Sequence, residues 1–183
     1  MEILIRKIAA AEGCTRPLQC FPPLRVKRDR FLKREAEGEF GRSLQLAAKN
    51  IRGKPGVLLV LLDAEGDCPV TLAQRIRNDA NPLVGDVRLS VVIAKRMFEN
   101  WLAASAPSLS SDARFRKGLI APDHPEELSG KNWIKQNLLP LSTYSEPVDQ
   151  PELTRLLDLE SSGICRSFRK FRKEIQTALS HTS

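Results

Sequence analysis

The chain has 183 residues, a formal net charge of +7, 42% apolar and 28% charged residues. That balance belongs to a folded domain rather than a disordered chain, and the longest aliphatic run, residues 57–62, is far too short to cross a bilayer. Four cysteines without a CxxC pair and only two histidines exclude a zinc site of the usual spacing and a disulfide framework, and imply a reducing, cytoplasmic location.

Residues 3–11 read as a helix, with Ile3, Leu4, Ile8 and Ala11 along one side. Arg6 and Lys7 interrupt this only apolar stretch near the start, so a secretory signal is not expected. A proline-rich break follows at 16–23, and residues 24–32 read as a short edge strand or an exposed loop. Phe40, Leu44, Ala47, Ala48 and Ile51 repeat at helical spacing and stop at Gly53 and Pro55. The uniformly apolar run 57–62 has the character of a parallel strand buried on both faces. Pro69 opens the next helix, closed at 78–82. Residues 87–94 form a second β-rich run, and 96–104 a helix burying Phe98, Trp101 and Leu102. Strand, helix, strand, helix in this order predicts an α/β domain with a mainly parallel sheet flanked by helices.

From residue 107 onward the pattern is a mostly helical C-terminal extension of the same single domain, which spans 1–183. Helices are expected near 125–138 and 151–157. The last, 163–179, aligns Ile164, Phe168, Phe171, Ile175 and Leu179 within about 80° of arc. Trp133 reads as a core anchor. His124 and His181 have no nucleophile beside them, which makes Ser/His/Asp or Cys/His catalysis the poorest enzyme reading.

Chemistry concentrates after the first strand. Asp63, Glu65 and Asp67 lie within five residues, where open α/β sheets place their ligands. Such hard oxygen donors suit Mg²⁺ or Mn²⁺. The same spacing also reads as a polar loop with Asp67 capping the next helix. Lys95 and Glu99, four apart, share a helix face at the second strand's end, as rim groups or as a plain surface pair. Lys131 lacks the surrounding pattern of a P-loop. Charge is uneven along the chain. Residues 1–56 carry 13 Lys/Arg against 6 Asp/Glu, residues 57–162 carry 11 against 15, and residues 163–183 carry 5 against 1. The densest basic cluster, Arg25, Lys27, Arg28, Arg30, Lys33 and Arg34, suits phosphate contacts, although basic ends also serve as solvated faces. Aromatics are only 5% of the chain, which disfavours a base-stacking single-strand binder.

Four ordered stretches, 60–69, 91–101, 130–133 and 144–154, resemble an uncharacterised bacterial family with a TOPRIM-like (topoisomerase–primase) domain. This family is related to the nuclease domains of overcoming-lysogenization-defect proteins. The resemblance implies a Rossmannoid α/β fold and a divalent-metal-dependent phosphodiester hydrolase acting on nucleic acid. It also implies a partnership with an ABC- or AAA-type ATPase in phage defence. On it, Asp63 and Glu65 take the position of the paired acidic ligands, Asp67 is a further ligand, and Lys95 and Glu99 support catalysis. The family pattern opens with a strand ending in glutamate. This chain opens inside the helix that follows, so the first strand is expected to be missing, through a start assigned downstream or through degeneration. Glu2 falls too late to take that glutamate's role, and Glu65 stands where the family more often has aspartate. The alternative class is a non-catalytic binding or regulatory subunit with a degenerate metal site. A simple nucleic-acid-binding module is a third.

Overall fold

The computed structural model describes residues 1–180. It is a mixed α/β fold in which a small parallel sheet is wrapped by helices. In chain order these are α1 (Glu2–Ala11), α2 (Arg28–Phe31), α3 (Glu39–Ile51), β1 (Leu58–Asp63), α4 (Pro69–Val84), β2 (Leu89–Ala94), α5 (Glu99–Ala104) and α6 (Ala106–Leu109). A 3₁₀ turn at Pro125–Glu127 follows, then α7 (Gly130–Asn137), α8 (Glu146–Leu156), α9 (Leu159–Ser162) and α10 (Arg166–Ser180).

Strands β1 and β2 pair in parallel, from Leu58 opposite Leu89 to Asp63 opposite Ala94. Alternation along the strands divides the core into two layers. Leu58, Val60, Val91 and Ile93 face α3 and α4, joining Phe40, Leu44, Ile76 and Val84. Leu59, Leu61, Val92 and Ala94 face the opposite layer with Leu4, Ile8, Trp101, Phe168 and Phe171. Both faces are thus covered, which is why the two strands read as near-continuous apolar runs.

Trp101 is fully buried and anchors the second layer. Its ring lies 5.2 Å from Phe98 and 5.4 Å from each of Phe168 and Phe171, between ring centroids. Its indole N–H donates to Ser167 Oγ at 2.8 Å, so the polar edge of this buried aromatic is satisfied. Glu126 in the 3₁₀ turn accepts from the backbone N–H groups of Arg166 and Ser167, at 3.1 and 2.9 Å. A carboxylate there meets the positive end of α10 and ties the turn to it.

The ladder leaves one edge of β1 open. Leu58 N–H donates to Arg88 O and Ala64 N–H to Ala94 O, so the even-numbered residues of β1 turn their backbone groups toward β2. Those of Leu59, Leu61 and Asp63 point away, and among the described residues no strand pairs with them. Asp63 O receives Arg28 Nε instead, at 3.1 Å.

Several boundaries differ from the sequence pattern. Residues 24–32 form no strand; an extended stretch leads into the single turn of α2. Helix α4 continues through Pro82 to Val84, because a proline in the last turn removes only one hydrogen bond while Ala80 and Val84 are buried. Asp67 does not cap it; the N-cap residue is Cys68, without a side-chain cap bond. Helix α5 begins at Glu99, not 96, since Arg96 adopts a left-handed φ of 61° and ends any helical course there. Helix α8 starts five residues before the expected 151, at Glu146 with Pro147 in its first turn. Ile164 precedes α10 and is exposed, whereas Phe168, Phe171 and Ile175 form the buried stripe as expected. Trp133 is only partly buried against the second layer. His181 lies outside the described residues. No helix among the described residues is long and apolar enough to cross a membrane.

Candidate active site

The parallel strands end together, and their exits are stitched to each other. Beyond Asp63 and Ala94, Glu65 N–H donates to Arg96 O at 2.8 Å. Glu65 and Arg96 both take left-handed backbone conformations, with φ of 53° and 61°. Non-glycine residues in this region are held there at a cost of roughly 1–3 kcal/mol each, so the surrounding structure must enforce the paired turns. The turns aim Asp63 inward and the rest of the acidic loop outward.

Asp63 Oδ1 accepts the Phe98 N–H at 2.9 Å. Burial first and the charge of Glu99 second push its carboxyl up to about 6, against the Phe98 hydrogen bond and the charge of Lys131. Glu99, the first residue of α5, is 1% exposed. Its Oε1 accepts from Tyr144 O–H at 2.8 Å and from Gln150 Nε2 at 3.3 Å. Its Oε2 has no hydrogen-bond partner among the described residues. Burial and the Glu99 charge together hold the Tyr144 phenol protonated, well above its ordinary range.

Lys131, the second residue of α7, completes the cluster. Its Nζ lies 2.7 Å from Glu146 Oε1. Burial lowers its basicity, but the Glu146 hydrogen bond and the charges of Glu99, Glu146 and Asp63 outweigh that and keep it raised. Beside Asp63 opens a pocket of ≈ 260 Å³, whose lining includes Met1, Val26, Arg28, Glu65 and Gln150.

The residues expected from the sequence are thus divided. Asp63 and Glu99 come together. Glu65 and Asp67 do not join them, because Arg28 clasps both: Nη1 is 3.4 Å from Glu65 Oε2, and Nη2 bonds Asp67 Oδ2. Nη2 also reaches Ala64 O at 3.1 Å. Arg28 is therefore the counter-charge of the acidic loop and is committed to it. Lys95 does not share a helix face with Glu99; it precedes α5 and reaches Glu127 at 3.8 Å on an exposed surface. Arg30 pairs with Glu39 and Arg34 with Asp79, each at 2.5 Å. Arg25, Lys27 and Lys33 are exposed and make no ion pair among the described residues. Tyr144, Glu146 and Gln150 were not singled out from the sequence. Nothing in their own spacing marks them, since Tyr144 and Gln150 find their partner Glu99 45 residues or more earlier and Glu146 finds Lys131 15 residues earlier.

Among the described residues no three His, Cys, Asp or Glu side chains gather into a metal cage. Two carboxylates do converge, one with a buried oxygen lacking any partner. A buried acceptor left in this way costs free energy, and a hard cation held by one or two carboxylates and water would satisfy it. The donor set fits Mg²⁺ or Mn²⁺ on those terms.

No curated protein and no solved structure matches the chain. Its residues 2–176 do match a family model, DUF4276, described as a domain of unknown function. With nearly the whole chain covered, the protein belongs to the DUF4276 family.

Proposed function

We propose that the protein is a divalent-metal-dependent phosphodiester hydrolase of TOPRIM-like type, with Asp63 and Glu99 as the cation-holding pair and nucleic acid as substrate. One observation carries this reading: Glu99 is 1% exposed, its Oε2 lacks a partner among the described residues, and its charge acts on Asp63. The position supports it too, since ligands of parallel α/β sheets gather at the carboxyl ends of the strands. A bound divalent cation supplies Lewis-acid polarisation of a phosphoryl oxygen. Tyr144 and Gln150 hold one oxygen of Glu99 and leave the other free. The Phe98 N–H fixes the orientation of Asp63. Glu65 and Asp67 leave the ligand set and instead anchor Arg28. Arg25, Lys27 and Lys33, exposed and without an ion pair among the described residues, are what the 25–34 cluster leaves to contact a phosphate backbone.

The test is thermal unfolding with and without millimolar Mn²⁺. Selective binding to the folded state at a hundredfold excess over the dissociation constant stabilises by about 2.7 kcal/mol, or roughly 5–10 °C for a chain this size. The wild type is expected to show the rise, Glu65→Gln and Asp67→Asn to keep it, and Asp63→Asn and Glu99→Gln to lose it. No rise in wild type, or an equal rise in Glu99→Gln, defeats the reading.

A second reading, a binding or regulatory subunit, is favoured by the Arg28 clasp, which neutralises two of the three loop carboxylates. A Mn²⁺ response without hydrolysis of a chromogenic phosphodiester by the wild type would select it.

A further inference from the structure

The acid pair of Asp63 and Glu99 would repel a phosphate unless a protein cation stood beside it. The structure puts one there by a tight construction. Gly130 lies so close to α5 that an added Cβ would come within 2.4 Å of Asn100 Oδ1 and 2.6 Å of Glu99 C. The Gly130 N–H donates to Asn100 Oδ1 at 3.0 Å, and the next N–H, that of Lys131, to Met97 Sδ at 3.4 Å. The first turn of α7 is thereby fixed against the residue that carries the buried carboxylate. Lys131 rides on that turn, and its charge acts on Asp63.

At present this lysine holds an anion of the protein's own. Glu146 sits at 2.7 Å, and the two side chains are 35% and 49% exposed. An ion pair that open contributes little to stability, so an incoming anion exchanges with Glu146 at small cost. Lysine binds phosphate as a point charge, and a cation in this place also stabilises charge that grows on the phosphoryl oxygens. Resting on the hydrolase reading above, we propose that Lys131 is the substrate-phosphate receptor, and that Glu146 occupies its ammonium as a displaceable internal stand-in for that phosphate.

Inorganic phosphate, titrated calorimetrically in the presence of millimolar Mg²⁺, is the probe. Lys131→Ala is expected to weaken phosphate binding about tenfold or more, the scale of a lost charge-assisted hydrogen bond. Glu146→Gln removes the competitor while keeping its shape, and is expected to tighten binding about threefold to fivefold. The double variant Lys131→Ala/Glu146→Gln should bind no better than Lys131→Ala. A merely structural ion pair would move both single variants in the same direction. Unchanged affinity in Lys131→Ala, or tightening that survives in the double variant, overturns the assignment. The Mn²⁺ melting response, recorded on the same proteins, separates the two claims. Its absence in wild type defeats the hydrolase reading, whereas an intact response with unaltered phosphate binding in Lys131→Ala defeats only the role of Lys131.

Discussion

Asp63 shows how one carboxyl is made costly so that it is useful. Its ordinary value of 3.8 is raised to about 6, first by burial and then by Glu99. In the metal-free protein the native state therefore holds this proton more tightly than the unfolded chain does. Between pH 4 and pH 6 the native form binds more protons, so stability falls as pH rises through that window and the loss is complete above it. Asp63→Asn removes the dependence while keeping an oxygen for the Phe98 N–H. The metal-free variant is expected to be more stable than wild type at pH 7 by up to about 3 kcal/mol, with the gap closing near pH 4. Urea midpoints at the two pH values measure it, and a less stable variant at pH 7 would show that the carboxylate is not under strain. This residue was legible in the sequence because a buried strand has to end in whatever meets solvent or ligand. Glu99 was placed at the same rim, but Glu65 and Asp67, not Glu99, were expected beside Asp63. Glu65 and Asp67 are adjacent in sequence, yet Arg28, 35 or more residues upstream, draws them away.

At the scale of elements, the seating of α7 on α5 is the joint on which the site depends. An alanine at 130 would place its Cβ 2.4 Å from Asn100 Oδ1 and 2.7 Å from Asn100 N. Backbone cannot yield there without moving Glu99. Overpacking of this kind costs about 1–3 kcal/mol, so Gly130→Ala is expected to lower the melting temperature and to weaken the Mn²⁺ response together. A variant with wild-type melting would mean that α7 shifts freely. The strand–helix–strand order and the helical stripes were readable because apolar runs and 3.6-residue periodicity are properties of local sequence. The misplaced boundaries have local causes of another kind. Arg96 takes a left-handed turn that no composition signals, and Pro82 and Pro151 lie inside helices, where their missing N–H groups are outweighed by tertiary burial. The helix expected near 125–138 is split into the 3₁₀ turn and α7, and the role of Glu126 was hidden for a related reason: it caps α10, some 40 residues later.

Across the whole molecule, some of the basic first third is spent on the acidic middle. Arg28 meets Glu65 and Asp67, Arg34 meets Asp79, and Arg52 approaches Asp86. A charge asymmetry that suggested an external polyanion is therefore partly consumed by folding, and within the 25–34 cluster what is left for a phosphate backbone narrows to Arg25, Lys27 and Lys33. The sheet beneath these pairs has a consequence of its own, written in its amide protons. Val60 and Leu62 turn their N–H groups into the ladder with β2, while Leu59 and Leu61 turn theirs toward the open edge of β1. Exchange with deuterated solvent is expected to run in a strict alternation along this one strand. The amides of Leu59 and Leu61 should be lost early, and those of Val60 and Leu62 should persist until the sheet itself opens. A strand supplied by another molecule would complete its hydrogen bonds at those same two residues. Their slowing, with Val60 and Leu62 unchanged, is then the signature by which such pairing would be seen.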